Sequence, residues 1–237
     1  MEATNELAPS GTLRVGLNYG NFLLVLKDAP DGSPRGIAPD LGRELGKRLG
    51  VPVEFVKFAQ AGQLADAVRD EKCDVGFLGA EPQRAAEIAF TSPYLEIPVT
   101  FLVPAGSPIR SIAEVDRDGV RIAVSARSAY DLYLSRTLKH AKLVRAQGID
   151  ASYELFVNEK LDVLAGLKPR LVADAEKLAG ARVLEGQVTG VQQAVGTTKA
   201  RSAAAKYLSD FVADIKRSGL VAKTIEKHGV RGVTVAP

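Results

Sequence analysis

The chain has 237 residues, 46% of them hydrophobic and 25% charged, with a formal net charge of +3. That balance belongs to a globular protein, and the length suffices for one large domain or for two lobes that each bury a core. The Lys and Arg residues form no run interleaved with aromatics, which argues against nucleic acid as a partner. Cys73 is the single cysteine, so no intramolecular disulfide can form.

No apolar run is long enough to span a membrane. The opening MEATNELAPSGTLRVG lacks the positive start and apolar core of a secretion signal. Either Met1 stands in place of a removed leader, or the protein stays in the cytoplasm.

In chain order, Leu13 to Leu17 reads as a buried strand, and Asn18 to Phe22 (NYGNF) follows as a loop at its C-terminal end. Phe22 reads, from the residues alone, as an aromatic of the core. Arg35 to Leu41 leads into a helix that aligns Leu41, Leu45 and Leu49, with Asp40 as its cap and Gly50 as its stop. LGVPVEFV is the next strand, and a second helix holds Leu64 and Val68. Cys73 precedes a third strand, Val75 to Leu78, and reads as a small buried filler. A tight loop from Gly79 to Gln83 and an Arg-bearing helical turn come next, running into FTSPY, where Pro93 breaks the turn.

The order so far is βαβαβ, which predicts a parallel sheet wrapped by helices. Ligands of such sheets sit outside the carboxyl ends of the strands. Asn18 to Phe22 and Gly79 to Arg84 both occupy such ends, and Arg84 can offer a carboxylate its fork of donors.

Val99 to Val103 is a strand that opens a second lobe, followed by a connector in which Ser111 caps a short helix. Val120 to Val124 is a strand, and Ser125-Ala126-Arg127-Ser128 opens a helix running through Lys139. Ser128 is there either as an ordinary cap or as part of an anion site with the exposed backbone N–H groups. Leu143-Val144, a helix near Ala151 to Asn158, and the strand within Leu161 to Pro169 continue the alternation. Val183-Leu184 and Val191 to Val195 are strands, the latter returning to the first lobe. Ala204, Tyr207, Leu208, Phe211, Val212 and Ile215 then mark an amphipathic helix, with Leu220 to Lys227 as its shorter companion.

The sequence contains no phosphate loop and no nucleophile elbow. Its two histidines, His140 and His228, belong to no metal-spaced cluster. No cofactor or metal is expected.

Glu81-Pro82-Gln83-Arg84 followed by Phe90-Thr91-Ser92-Pro93-Tyr94 resembles the extracellular solute-binding proteins of family 3, the polar amino-acid class, which deliver ligands to ABC transporters. Gly36 to Leu41 and Leu161 to Pro169 resemble two further stretches of that family. The resemblance implies an α/β fold of the two-lobed periplasmic binding protein kind (type II), each lobe a mainly parallel sheet flanked by helices. Lobe 1 would comprise residues 1–98 and 196–237 and lobe 2 residues 99–195, with hinge strands near 99–103 and 191–195. It further implies a periplasmic monomer that hands its ligand to a membrane permease.

By the same resemblance Arg84 grips the ligand's carboxylate, the Phe22 ring packs on its body, and Ser128 with the Ala129 backbone meets the carboxylate from the second lobe. The ligand-binding set implied is Asn18, Tyr19, Phe22, Gly79, Ala80, Glu81, Arg84, Ser125, Ser128, Ala129 and Leu167. Arg127 is unusual for its turn and could supply a second cation. Leu167 stands where an Asp normally receives the α-ammonium, and Glu81 stands where Thr is usual. Either the ligand lacks an α-amino group or Glu81 takes over that role. The rival expectation is an enzyme, a dehydratase-type activity on the same scaffold with Glu81 as general acid.

Overall fold

A computed structural model describes residues 2–237. The chain divides into two compact units, one of Met1–Glu96 with Gln192–Pro237 and one of Ile97–Val191.

The first unit begins with a short helix, α1 (Glu2–Leu7), then strand β1 (Leu13–Asn18), helix α2 (Ile37–Leu49), strand β2 (Val53–Phe58), helix α3 (Ala61–Arg69) and strand β3 (Val75–Gly79). A single turn, α4 (Pro82–Ala85), separates β3 from the short strand β4 (Ile88–Phe90), and β5 (Leu95–Val103) carries the chain into the second unit. There a 3₁₀ turn at Ile112–Glu114 precedes β6 (Arg121–Ser125), α5 (Ala129–Thr137), β7 (Lys142–Ala146), α6 (Ile149–Asn158), β8 (Val163–Leu167), α7 (Lys168–Ala175) and β9 (Arg182–Val183). Strand β10 (Thr189–Thr198) returns to the first unit, which ends with α8 (Ser202–Arg217), α9 (Leu220–Lys227) and β11 (Thr234–Val235).

In the first unit β1 pairs in parallel with both β2 and β3, while β10 runs antiparallel to β3 and to β4. Each βαβ crossover lays an apolar helix face on this sheet. Leu41 and Leu45 of α2 and Leu64 and Val68 of α3 are fully buried against it. Helix α3 comes so close that a Cβ at Gly76 would lie 2.6 Å from Val68 Cγ2, so only glycine fits there. A buried ion cluster closes the far edge. The Asp74 carboxylate accepts from the Arg14 backbone and guanidinium and from Arg201, which in turn donates to Glu71.

In the second unit the strand order is β5–β8–β6–β7, with β6 parallel to both neighbours and β5 antiparallel to β8. Leu102, Ala123, Phe156, Leu161, Leu164 and Leu171 form its core.

Three local expectations are corrected. Helix α2 begins at Ile37 after Gly36, so Asp40 is not its cap. Pro39 is tolerated inside because the first-turn N–H groups have no helical partner anyway. Asp40 instead accepts from Arg43 and Lys227 and meets His228 Nε2 at 2.8 Å, tying α9 to α2. Helix α5 stops at Thr137 and not at Lys139, since Asp116 draws the N–H groups of Lys139, His140 and Ala141 out of helical register. Ser111 precedes its 3₁₀ turn without a side-chain cap bond, and the Glu114 carboxylate takes the Arg110 N–H instead.

Candidate functional site

Because β1 and β3 are parallel neighbours, with Leu17 level with Phe77, their C-terminal ends lie on one edge of the first sheet. Two peptide segments leave that edge. The first turns at once. Asn18 Oδ1 accepts the Gly20 N–H at 3.0 Å, and a Cβ at Gly20 would sit 2.6 Å from the Ala59 carbonyl oxygen. Tyr19 is half-buried. Its hydroxyl donates to Asp28 at 2.8 Å, Asp28 pairs with Lys57 at 2.5 Å, and the Lys57 ammonium lies 5.1 Å from the Tyr19 ring centre. Burial, and then the bond to Asp28, pushes the phenol's pKa upward. Phe22 is 38% exposed, which removes the reading of it as a core residue.

The second segment carries Gly79, Ala80, Glu81 and Arg84. Gly79 pairs with Gln193 of β10, and the Ala80 N–H donates to the Gln192 carbonyl, which fixes the strand end. Glu81 is half-buried and extended, and Pro82 starts α4, where its preset φ suits a first turn. One turn later Arg84 faces back to the strand it left, and Nη1 donates to the Gly79 carbonyl at 2.7 Å. Only 7% of Arg84 is exposed, so it is not the solvated arginine of an ordinary βα loop. A guanidinium has five N–H donors in a rigid plane, and the Gly79 bond sets the direction of that plane.

In the second unit β6 and β8 are likewise parallel, so Ser125 and Leu167 end their strands on one edge. After β6, Arg127 adopts a left-handed φ of 57° and is exposed, an uncommon conformation for a non-glycine residue. Ser128 caps α5 by accepting the Asp131 N–H at 3.1 Å, while the buried Asp131 carboxylate accepts the Arg127 N–H at 2.7 Å. Arg145 from β7 holds that carboxylate at 3.0 Å. Ala129 is the first helical residue, and the next, Tyr130, is buried, its phenol pushed up to about 12 chiefly by desolvation while hydrogen bonding with Ser128 and Ser125 pulls it down. Leu167 is buried at the end of β8 and is followed directly by Lys168 at the start of α7.

The residues singled out from sequence thus form one set per unit, each gathered at a parallel-strand edge. Several that shape these sets were not anticipated. Asp28 and Lys57 clamp Tyr19 from positions distant in sequence, with no local signal. Asp131 had one, because the Ser-x-x-Asp spacing from Ser128 is that of a capping box.

A profile of the bacterial extracellular solute-binding proteins, family 3, matches residues 13–231. The chain belongs to that family. Among solved structures, a solute receptor for L-cysteine from Neisseria gonorrhoeae is similar, with a TM-score of 0.80 at 21% identity, covering 97% of this chain and 95% of that one. A binding component of an ABC transporter from Wolinella succinogenes, complexed with lysine, gives a TM-score of 0.76 at 24% identity over 92% and 95% of the two chains. An ancestral amino acid-binding protein, a precursor of cyclohexadienyl dehydratase, gives 0.77 at 22% identity over 96% and 99%. The family 3 protein described here therefore has the mixed α/β fold of periplasmic binding protein structures. Among its described residues no helix is long and apolar enough to cross a membrane.

Proposed function

We propose that this family 3 protein is the ligand-binding component of an ABC transporter and that its ligand is a small carboxylate-bearing molecule anchored by Arg84. One observation carries the reading, the burial of Arg84 at the C-terminal edge of β3. A buried guanidinium is the side chain best suited to a planar, doubly accepting carboxylate. Ligands named for similar structures, lysine and L-cysteine, contain a carboxylate, which supports the choice.

Phe22 would pack on the ligand's body. Asn18, Tyr19, Gly79, Ala80 and Glu81 would shape the surroundings of Arg84. Ser125, the Ser128 hydroxyl, the Ala129 N–H and Leu167 are the second unit's contribution. The chain crosses between units within β5 and β10, and we assign the hinge of ligand capture to those two strands. The protein acts as a periplasmic monomer that hands its ligand to a membrane permease.

A thermal-shift screen of small carboxylic acids against their primary amides tests this. Acids should raise the melting temperature and the amides should not, since the amide keeps the size and loses the charge. Equal stabilisation by an acid and its amide would remove Arg84 as anchor.

A further inference from the structure

Helices α2 and α9, both of the first unit, border a groove of about 310 Å³. Asp40, Arg43, Glu44 and Lys47 line it from α2, and Lys223 and Lys227 from α9. Four cations therefore stand over two carboxylates. Glu226, the one acid of α9, is not part of the lining.

Both carboxylates are already matched. Asp40 accepts from Lys227 at 2.7 Å and from Arg43 at 3.1 Å, and it meets His228 Nε2 at 2.8 Å. Glu44 accepts from Arg48 at 2.7 Å. Arg43 turns its second terminal nitrogen to the Pro34 carbonyl oxygen at 2.6 Å, so its fork is engaged on both sides. Lys47 and Lys223 are left over. Among the described residues neither side chain makes an ion pair or a hydrogen bond. A single unpaired surface lysine would carry no meaning. Two that line one concavity from different helices gather positive charge where a small molecule fits.

The kind of charge narrows the guest. A carboxylate is best met by the planar fork of an arginine, and the arginine of this groove is taken. An ammonium is a compact point charge whose three donors rotate, which suits the oxygens of a phosphate. Two unmatched ammoniums are neutralised by a doubly charged oxyanion.

We infer that the groove between α2 and α9 binds a small dianion of the phosphate class, held by Lys47 and Lys223. It is a second site, sharing no residue with the set proposed around Arg84.

Inorganic phosphate is the probe. It is titrated calorimetrically at about pH 8, with ionic strength held constant by sodium chloride so that general screening does not change. The parent is compared with Lys47→Gln, Lys223→Gln, the double variant and Arg84→Ala. The parent should take up one phosphate saturably, and the double variant should bind it at least about tenfold more weakly with an unchanged urea midpoint. Each single variant should fall between the two. Arg84→Ala should stay within about threefold of the parent, since the groove does not contain that residue. No saturable uptake by the parent, or equal affinity in the double variant, overturns the inference. So does loss of phosphate binding in Arg84→Ala, which would put the anion at Arg84 and leave the carboxylate reading standing.

Discussion

Arg84 Nη1 donates to the carbonyl oxygen of Gly79 at 2.7 Å, so the residue that leaves the strand is returned to the strand's own last carbonyl. The turn between them is four residues long, Ala80 to Gln83, and is stiffened by Pro82. This arrangement fixes where a buried positive charge stands, and lysine cannot imitate it. A lysine at 84 would reach with a flexible stem and a point charge in place of a planar fork. Arg84→Lys should therefore fold but bind any carboxylate ligand at least about tenfold more weakly, as read by calorimetry.

Asp74 is fully buried and accepts from Arg14 and Arg201 together. Asp74→Asn leaves two partly buried guanidiniums without their carboxylate. Breaking a buried pair from one side costs about 3–5 kcal/mol. A urea midpoint for Asp74→Asn within error of the parent would contradict the role given to this cluster.

The Ser128 hydroxyl accepts from the Asp131 N–H at the start of α5. Ser128→Ala should lower unfolding stability by about 1 kcal/mol, the usual worth of a serine cap. Denaturation in urea measures it, and a stability unchanged by the substitution would mean that the cap does nothing.

Asp116 binds three backbone N–H groups, and those bonds, with Ala141's the strongest, hold its carboxyl below the ordinary Asp value. A carboxyl depressed in this way stabilises the fold fully above its unfolded pKa, about 4, and loses that contribution as pH falls through the lower folded value. The difference in melting temperature between parent and Asp116→Asn should thus be largest above about pH 5 and shrink steadily toward pH 2. A difference that grew on acidification would reverse the sign of this argument.

Much of the fold was legible because its strands are short apolar runs bounded by glycines and its helices show one apolar face. Gly50 stops α2 in a left-handed conformation, as expected of a glycine directly after Leu49. Helix α7 was missed since Lys168-Pro169 reads as a break, although proline is equally at home in a first helical turn. Strand β4 exists through its pairing with β10, about a hundred residues on, which no local pattern announces. In the site, the place of Arg84 beyond the carboxyl end of a strand could be argued from strand order, and its burial could not. The Asp28–Lys57 clamp on Tyr19 could not, because it depends on the long loop between β1 and α2 folding back onto β2.

The measurement that bears most directly on the central claim is the affinity of the parent and of Arg84→Ala for one carboxylate ligand, under identical buffer and salt. Truncating one side of a buried charge-assisted contact costs about 2–5 kcal/mol, so the variant should bind at least about 30-fold more weakly while its circular dichroism and urea midpoint stay close to those of the parent. A folded Arg84→Ala protein that binds the same acid as tightly as the parent would contradict the claim.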